Sequence, residues 1–183
     1  MSEPAESQPA DSDPNKNFNE LFFKSDDWYL AANVVVVGEV SIGTDTNLWY
    51  GTVVRGDDAS ITIGARVNLQ DQTIVHADPG VPLTIGDDVT VGHRAILHCR
   101  SIESGCLIGM GAVLMEDVVV GAGSLVAAGS VVPPGTVIPP NSLVRGVPGR
   151  VVRETTAEER EGFLSSAKKY VENAREFYRL YGD

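Results

Sequence analysis

The chain is short of most residues that carry chemistry. Its 183 residues include three histidines, two cysteines and two tryptophans. Cys99 and Cys106 make neither a CxxC pair nor a disulfide framework, so the expectation is two buried, reduced thiols in a cytoplasmic protein. Positive charge is scarce as well. Lys and Arg number 14 against 25 Asp and Glu, and a formal charge of -11 argues against nucleic acid as a partner. The opening MSEPAESQPADSDPNKN has almost no large apolar residue and no hydrophobic core of a leader. Residues 1–17 therefore read as a disordered acidic tail, neither signal peptide nor membrane span.

What the chain does have is a period. After a short mixed segment, FNELFFKSDDWYL, an aliphatic residue recurs every sixth position from Val36 to Val144. Of the 17 intervals between 18 such starts, 14 are six residues long, and the exceptions are nine (54 to 63), ten (75 to 85) and five (97 to 102). Neither a helical repeat of 3.6 nor simple strand alternation resets in this way. A hexapeptide β-solenoid does, with one short strand and one turn per hexapeptide and three hexapeptides per triangular coil. Eighteen starts give about six coils, with the aliphatic residues inside, and Pro133, Pro134, Pro139, Pro140 and Pro148 in corners. The expected solenoid domain, with its lead-in, covers residues 18–152.

Residues 153–183 read as a helix. Thr156-x-x-Glu159 is a capping box, and Phe163, Leu164, Ala167, Tyr170, Val171, Ala174, Phe177, Tyr178 and Tyr181 recur at helical steps. So wide an apolar face is expected to pack on a flank of the solenoid rather than on a membrane, since the chain is acidic.

The period also serves as a ruler. Val54, Val75 and Leu97 begin strands on one face of three successive coils, so Arg55, His76 and His98, one position later, share a column. Two imidazoles a strand spacing apart, roughly 4.8 Å, can share one metal ion. His93 lies two past Val91 on another face, in the column of Asp71. It would have to reach around a corner to join them, whereas a neighbouring protomer could present it directly. The register thus favours a metal site between subunits, and three members match a triangular prism most simply. The ten-residue interval leaves a loop, HADPGVPLT, beside His76. Arg55 with Asp57, and Gln70 with Asp71, are equally read as an ordinary surface ion pair and corner contacts.

Three segments, WYGTVVRGD (49–57), NLQDQTIVH (68–76) and TIGDDVTVGHRAILHC (84–99), resemble the γ-class carbonic anhydrases. The likeness covers roughly residues 20–180; GVPGRVVR and the bare hexapeptides are shared with acyltransferases. The resemblance implies a left-handed parallel β-helix and a homotrimer with zinc (iron or cobalt in some members) held across the interface by His76, His93 and His98. It implies a lyase that hydrates carbon dioxide reversibly to bicarbonate with a metal-bound hydroxide. It also carries roles to Arg55 and Asp71 as an inter-protomer ion pair, to Asp57 and Asn68, and to Gln70 as a contact to the bound water or bicarbonate.

The chain departs from the best-studied members in its short loop, whose only acid is Asp78. Asp58 replaces a glutamate, and Lys169 stands where related proteins often carry Asn. This resembles the shorter subgroup lacking the acidic proton-relay loop, and it leaves Asp58, then Asp78, as proton acceptors. Two other functions fit the same period. A hexapeptide acyltransferase or thioesterase would use an unpaired histidine and a basic groove. A non-catalytic trimeric scaffold would keep the metal without turnover.

Overall fold

An aliphatic side chain at every sixth position is buried only if the chain turns a corner between short strands. The computed structural model, which describes residues 22–182, has that geometry. The tail expected over residues 1–17 lies outside the described residues. Two-residue strands stack in parallel, Leu69 beside Val91, Val91 beside Ile108 and Ile108 beside Val126. Amides donate to the neighbouring coils, onward from Gln70 to the Val91 carbonyl at 3.0 Å and back from Arg94 to that of Asp71 at 2.9 Å. The result is a mainly β solenoid of about six turns with one C-terminal helix.

Sixteen of the 18 aliphatic starts are buried. Burying a Leu, Ile or Val side chain contributes roughly 1.5–3 kcal/mol, so these residues, stacked in three columns, form the hydrophobic core of the solenoid. The two that escape, Val36 (36% exposed) and the half-buried Ile42, sit in the first turn, which has no full coil beyond it. One corner is built from residues in the left-handed region. Asp45, Arg66, Asp88 and Asn141, of types that tolerate it or are held by ion pairs, stack there with Gly105 and Gly123.

Three features differ from the expected pattern. Where the interval is nine residues, the strand does not turn. Val53–Ile63 runs on for 11 residues, and Val35–Ile42 lies parallel to it through a bulge between Gly38 and Val40. Two prism faces are thereby joined into one ten-stranded sheet. Gly38 has φ +85, and a Cβ there would meet the Gly56 carbonyl oxygen at 2.2 Å, so only glycine lets the strands approach so closely. The lead-in is an antiparallel hairpin, Phe22–Ser25 with Trp28–Ala31, whose Leu30 pairs with Leu48 and starts the nine-stranded sheet. At the other end Ser142–Gly146 folds back on Gly149–Glu154, so Pro148 sits in a hairpin turn and not in a coil corner. The strands continue to Glu154, two residues past the expected boundary.

Helix α1 spans Ala157–Tyr181, and the capping box is formed in full. The Glu159 amide donates to Thr156 Oγ1 at 3.1 Å, and the Thr156 amide donates to the Glu159 carboxylate at 2.8 Å. Arg153 adds a two-pronged bond that, with the Thr156 amide, pulls the Glu159 carboxyl down to about 2. Phe163, Ala167, Val171 and Ala174 are buried against the sheet. Trp49 is the pivot, with Phe22, Tyr170 and Phe177 ring centroids 5.3, 5.6 and 5.1 Å from its own. Arg175 pins the far end to Asp45 at 2.9 Å. Leu164 and Tyr181, expected on the docked face, are 49% and 52% exposed. Among the described residues no helix is long and apolar enough to cross a membrane.

This separation of faces is testable with two neighbouring substitutions. Phe163→Asp places a charge in a site 5% exposed and should lower the melting temperature by about 10 °C or more. Leu164→Asp, one residue on, should shift it by only about 2 °C. Equal effects in differential scanning calorimetry would mean that the helix is not docked on this face.

Candidate metal centre

The stacked strands bring Arg55, His76 and His98 into the column read from the register. Val54 pairs with Val75, Arg55 with His76, and Val75 with Leu97. The two imidazoles lie 5.1 Å apart between centroids, with His76 Nδ1 3.1 Å from His98 Nε2. Two nitrogens bound at roughly 2.0–2.1 Å to one tetrahedral ion stand about 3.3 Å apart. The pair therefore fits a shared ion with little adjustment.

Carboxylates surround this pair. His76 Nε2 faces Asp58 Oδ2 at 3.2 Å and Asp57 Oδ1 at 3.5 Å, because the long strand Val53–Ile63 continues past Arg55 and turns both acids toward the neighbouring strand. His98 Nε2 faces Asp78 Oδ1, from the short loop, at 3.5 Å. Its Nδ1 faces Glu116 Oε1 at 3.8 Å. Arg55 donates to Asp57. Such outer carboxylates fix the tautomer and orientation of ligating histidines. Asp57, Asp58 and His76 offer ligand atoms within 4.8 Å of one another.

His93 stands apart. It lies at another corner and belongs to no group of three ligand-type side chains among the described residues. Its Nδ1 is 2.7 Å from Asp71 Oδ2, which leaves Nε2 directed away. Asp71 thus holds His93, and Arg55 holds Asp57. Within one chain Arg55 and Asp71 lie on separate faces, and the pair expected of them is one between protomers.

Gln70 is 7% exposed and donates from Nε2 to Asn68 Oδ1 at 3.1 Å. Asn68 in turn donates to Thr90 Oγ1 at 2.9 Å. Asn68 has no exposed surface in the single chain, and it meets the exterior only through its bond with Gln70. A cavity of about 480 Å³ opens between this corner and α1, lined by Gln70, His93, Leu107, Met110, Leu125 and Ser166 among others.

Two residues were not read from the sequence as neighbours of this site. Glu116 lies two past Leu114, which pairs with Leu97, so the same ruler reaches it. Tyr170 comes from α1, and only the docked helix shows that it approaches Asp71. Burial, and then the Asp71 charge, push its phenol upward, so it stays neutral at ordinary pH. Cys99 is no ligand: it is buried in the solenoid core, and burial pushes its thiol up to about 12.

Known proteins share this arrangement of strands. The family model "Bacterial transferase hexapeptide (six repeats)" matches residues 101–134. A carbonic anhydrase of Geobacillus kaustophilus is 46% identical over 152 residues, covering 83% of this chain and 84% of the relative. Gamma carbonic anhydrase 2, mitochondrial, of Arabidopsis thaliana is 40% identical over 155 residues, covering 81% of this chain and 56% of its own. The crystal structure of a Bacillus cereus protein described as a putative acetyltransferase superposes with a TM-score of 0.83 at 38% identity, covering 88% of this chain and 99% of that one. With identities of this size over most of its length, and with histidines at 76, 93 and 98 set out as described, the chain belongs to the γ-class carbonic anhydrase family of hexapeptide-repeat proteins.

Proposed function

We propose that the protein catalyses the reversible hydration of carbon dioxide to bicarbonate, as a homotrimer with a metal site shared between neighbouring copies. The observation that carries this is the division of the histidines. His76 and His98 are paired on one face with nitrogens 3.1 Å apart, and His93 is held by Asp71 on another. Two imidazoles make an incomplete site, and the third cannot reach it within one chain. The face beside the pair carries an exposed apolar ladder, Val35, Ile74 and Ile96, at 49%, 37% and 43% exposure. Such a strip favours contact with a second copy.

His76 and His98 of one copy and His93 of the next would hold the ion, zinc by the family pattern and iron or cobalt in some members. A divalent ion held by three neutral imidazoles supplies an acidic bound water and an open coordination position. The chain's own residues then divide the work. Asp58 and Glu116 orient His76 and His98, and Asp71 orients His93. Gln70, fixed by Asn68, offers an amide to the reacting oxygens. Asp58, at His76, and Asp78, at the loop, are the carboxylates placed to pass a proton to solvent. The paired His76 and His98, amid carboxylates, count against an acyltransferase with a lone histidine base and a basic groove.

Metal analysis of the purified protein combined with stopped-flow hydration tests the reading. About one ion per chain and measurable hydration are expected, and both should be lost in His76→Ala, His93→Ala and His98→Ala. Stoichiometric metal with no hydration would leave only a metal-bearing scaffold.

The hold of Asp71 on His93 gives a separate expectation. Asp71→Ala should weaken metal binding by about 10–100-fold in a chelator competition titration. Asp117→Ala, a comparable exposed acid paired with Arg100, should leave it unchanged. Unaltered affinity in Asp71→Ala would remove His93 from the ligand set or Asp71 from its support.

A further inference from the structure

The corner that presents His93 holds an arginine where glycine fits best. Its left-handed position is stacked over five coils as Gly51, Gln72, Arg94, Gly111 and Gly129, with φ from +60 to +71. Amide bonds tie the levels together, as from Arg94 to the Asp71 carbonyl at 2.9 Å and from Gly111 to that of His93 at 2.8 Å. Glycine suits this backbone and fills three of the five levels. Side chains persist at the two levels beside Asp71 and His93. Crowding does not decide the choice, since a Cβ on Gly111 or Gly129 would meet nothing within 4 Å. Arginine is a poor resident of this region. Arg66, in the same backbone state at another corner, is held by a two-pronged bond to Asp88 at 2.6 and 2.7 Å. Arg94 is exposed and has no such carboxylate among the described residues. Asp71, the acid of its own corner, is taken by His93.

We propose that the next copy supplies the missing partner, so that Arg94 forms an ion pair with the carboxylates flanking His98. This rests on the shared metal site. Wherever His93 is presented to a neighbouring His76–His98 pair, Arg94 arrives one residue away. The receiving face has the opposite excess of charge. Asp57, Asp58, Asp78 and Glu116 surround the two imidazoles, and Arg55 is the base among them. Asp57 is taken by Arg55, and Asp58 lies 3.2 Å from His76 Nε2. Asp78 and Glu116 stand further off, at 3.5 and 3.8 Å from the two nitrogens of His98, and neither meets a Lys or Arg among the described residues. They are the open acceptors. Arginine is longer than histidine, so from the adjacent position it can pass the ion and reach the acids around it. The pair locks the His93 corner against the receiving face and offsets negative charge that the junction would otherwise enclose.

The test is subunit exchange in the full-length protein, read by native mass spectrometry after mixing normal and isotopically heavy chains. Arg94→Gly removes the charge while giving the backbone the residue that φ +60 favours, so the corner keeps its fold. It should speed exchange about 10-fold, and Arg94→Glu should speed it further. Lys168→Ala, at an exposed base on α1, should leave the rate unchanged. A native rate in both Arg94 variants, with the protein still trimeric, would overturn the pairing and leave the shared site standing. A monomeric unsubstituted protein would overturn both. Asp78→Asn/Glu116→Gln should speed exchange by a similar factor, and adding Arg94→Gly should then change it little. Effects that multiply would overturn the choice of acceptors.

Discussion

Parallel stacking in strict register is the constraint on which the rest depends. Each strand contributes one inward aliphatic residue, and the next coil places its own directly above at roughly 4.8 Å. Burial of that column fixes the register, because slipping by one residue would turn the core residues outward. The same register turns the following residue outward at a known height. Arg55, His76 and His98 are neighbours for no other reason: Val54, Val75 and Leu97 lie over one another beneath them. The geometry of the candidate site is therefore a by-product of core packing, with side chains mounted one or two positions past a buried aliphatic residue.

Mounting on or beside strands of two or three residues also explains the support each histidine needs. A strand so short sets the height of a side chain but not the rotation of its ring. Rotation is set by acids on the turns and on the long strand. Asp58 meets His76, Asp71 meets His93, and Asp78 and Glu116 meet His98. An acidic chain is well suited to this arrangement, for it favours a bound cation and supplies the orienting carboxylates together. The apolar ladder of Val35, Ile74 and Ile96 then gives the face bearing His76 and His98 a reason to meet another surface.

Much of this was legible in the sequence wherever the repeat was regular. The six-residue period gave the solenoid, the number of turns, the buried column and the proximity of His76 to His98. The separation of His93 followed from the same counting, and Thr156 with Glu159 marked the helix start. What escaped lay where the period broke. The nine-residue interval hid an 11-residue strand that carries Asp57 and Asp58 to His76. The lead-in hid a hairpin whose Phe22 completes the aromatic cluster under α1. The closing hairpin around Pro148 breaks the repeat in the opposite direction. Contacts set by rotamers, such as that of Asp71 with His93, have no periodic signature and needed the folded chain.

Sharing of the site between copies is the central claim, and subunit mixing addresses it most directly. His93→Ala and His98→Ala chains, each devoid of hydration and metal alone, are dissociated together in equal amounts and reassembled. In a ring of three, each site takes His76 and His98 from one chain and His93 from the next. Random mixing then restores all three ligands at about a quarter of the sites, and hydration and metal content should return to about that fraction of the unsubstituted protein. Mixed trimers, verified by native mass spectrometry, that remain metal-free and inactive would show that no site draws on two chains.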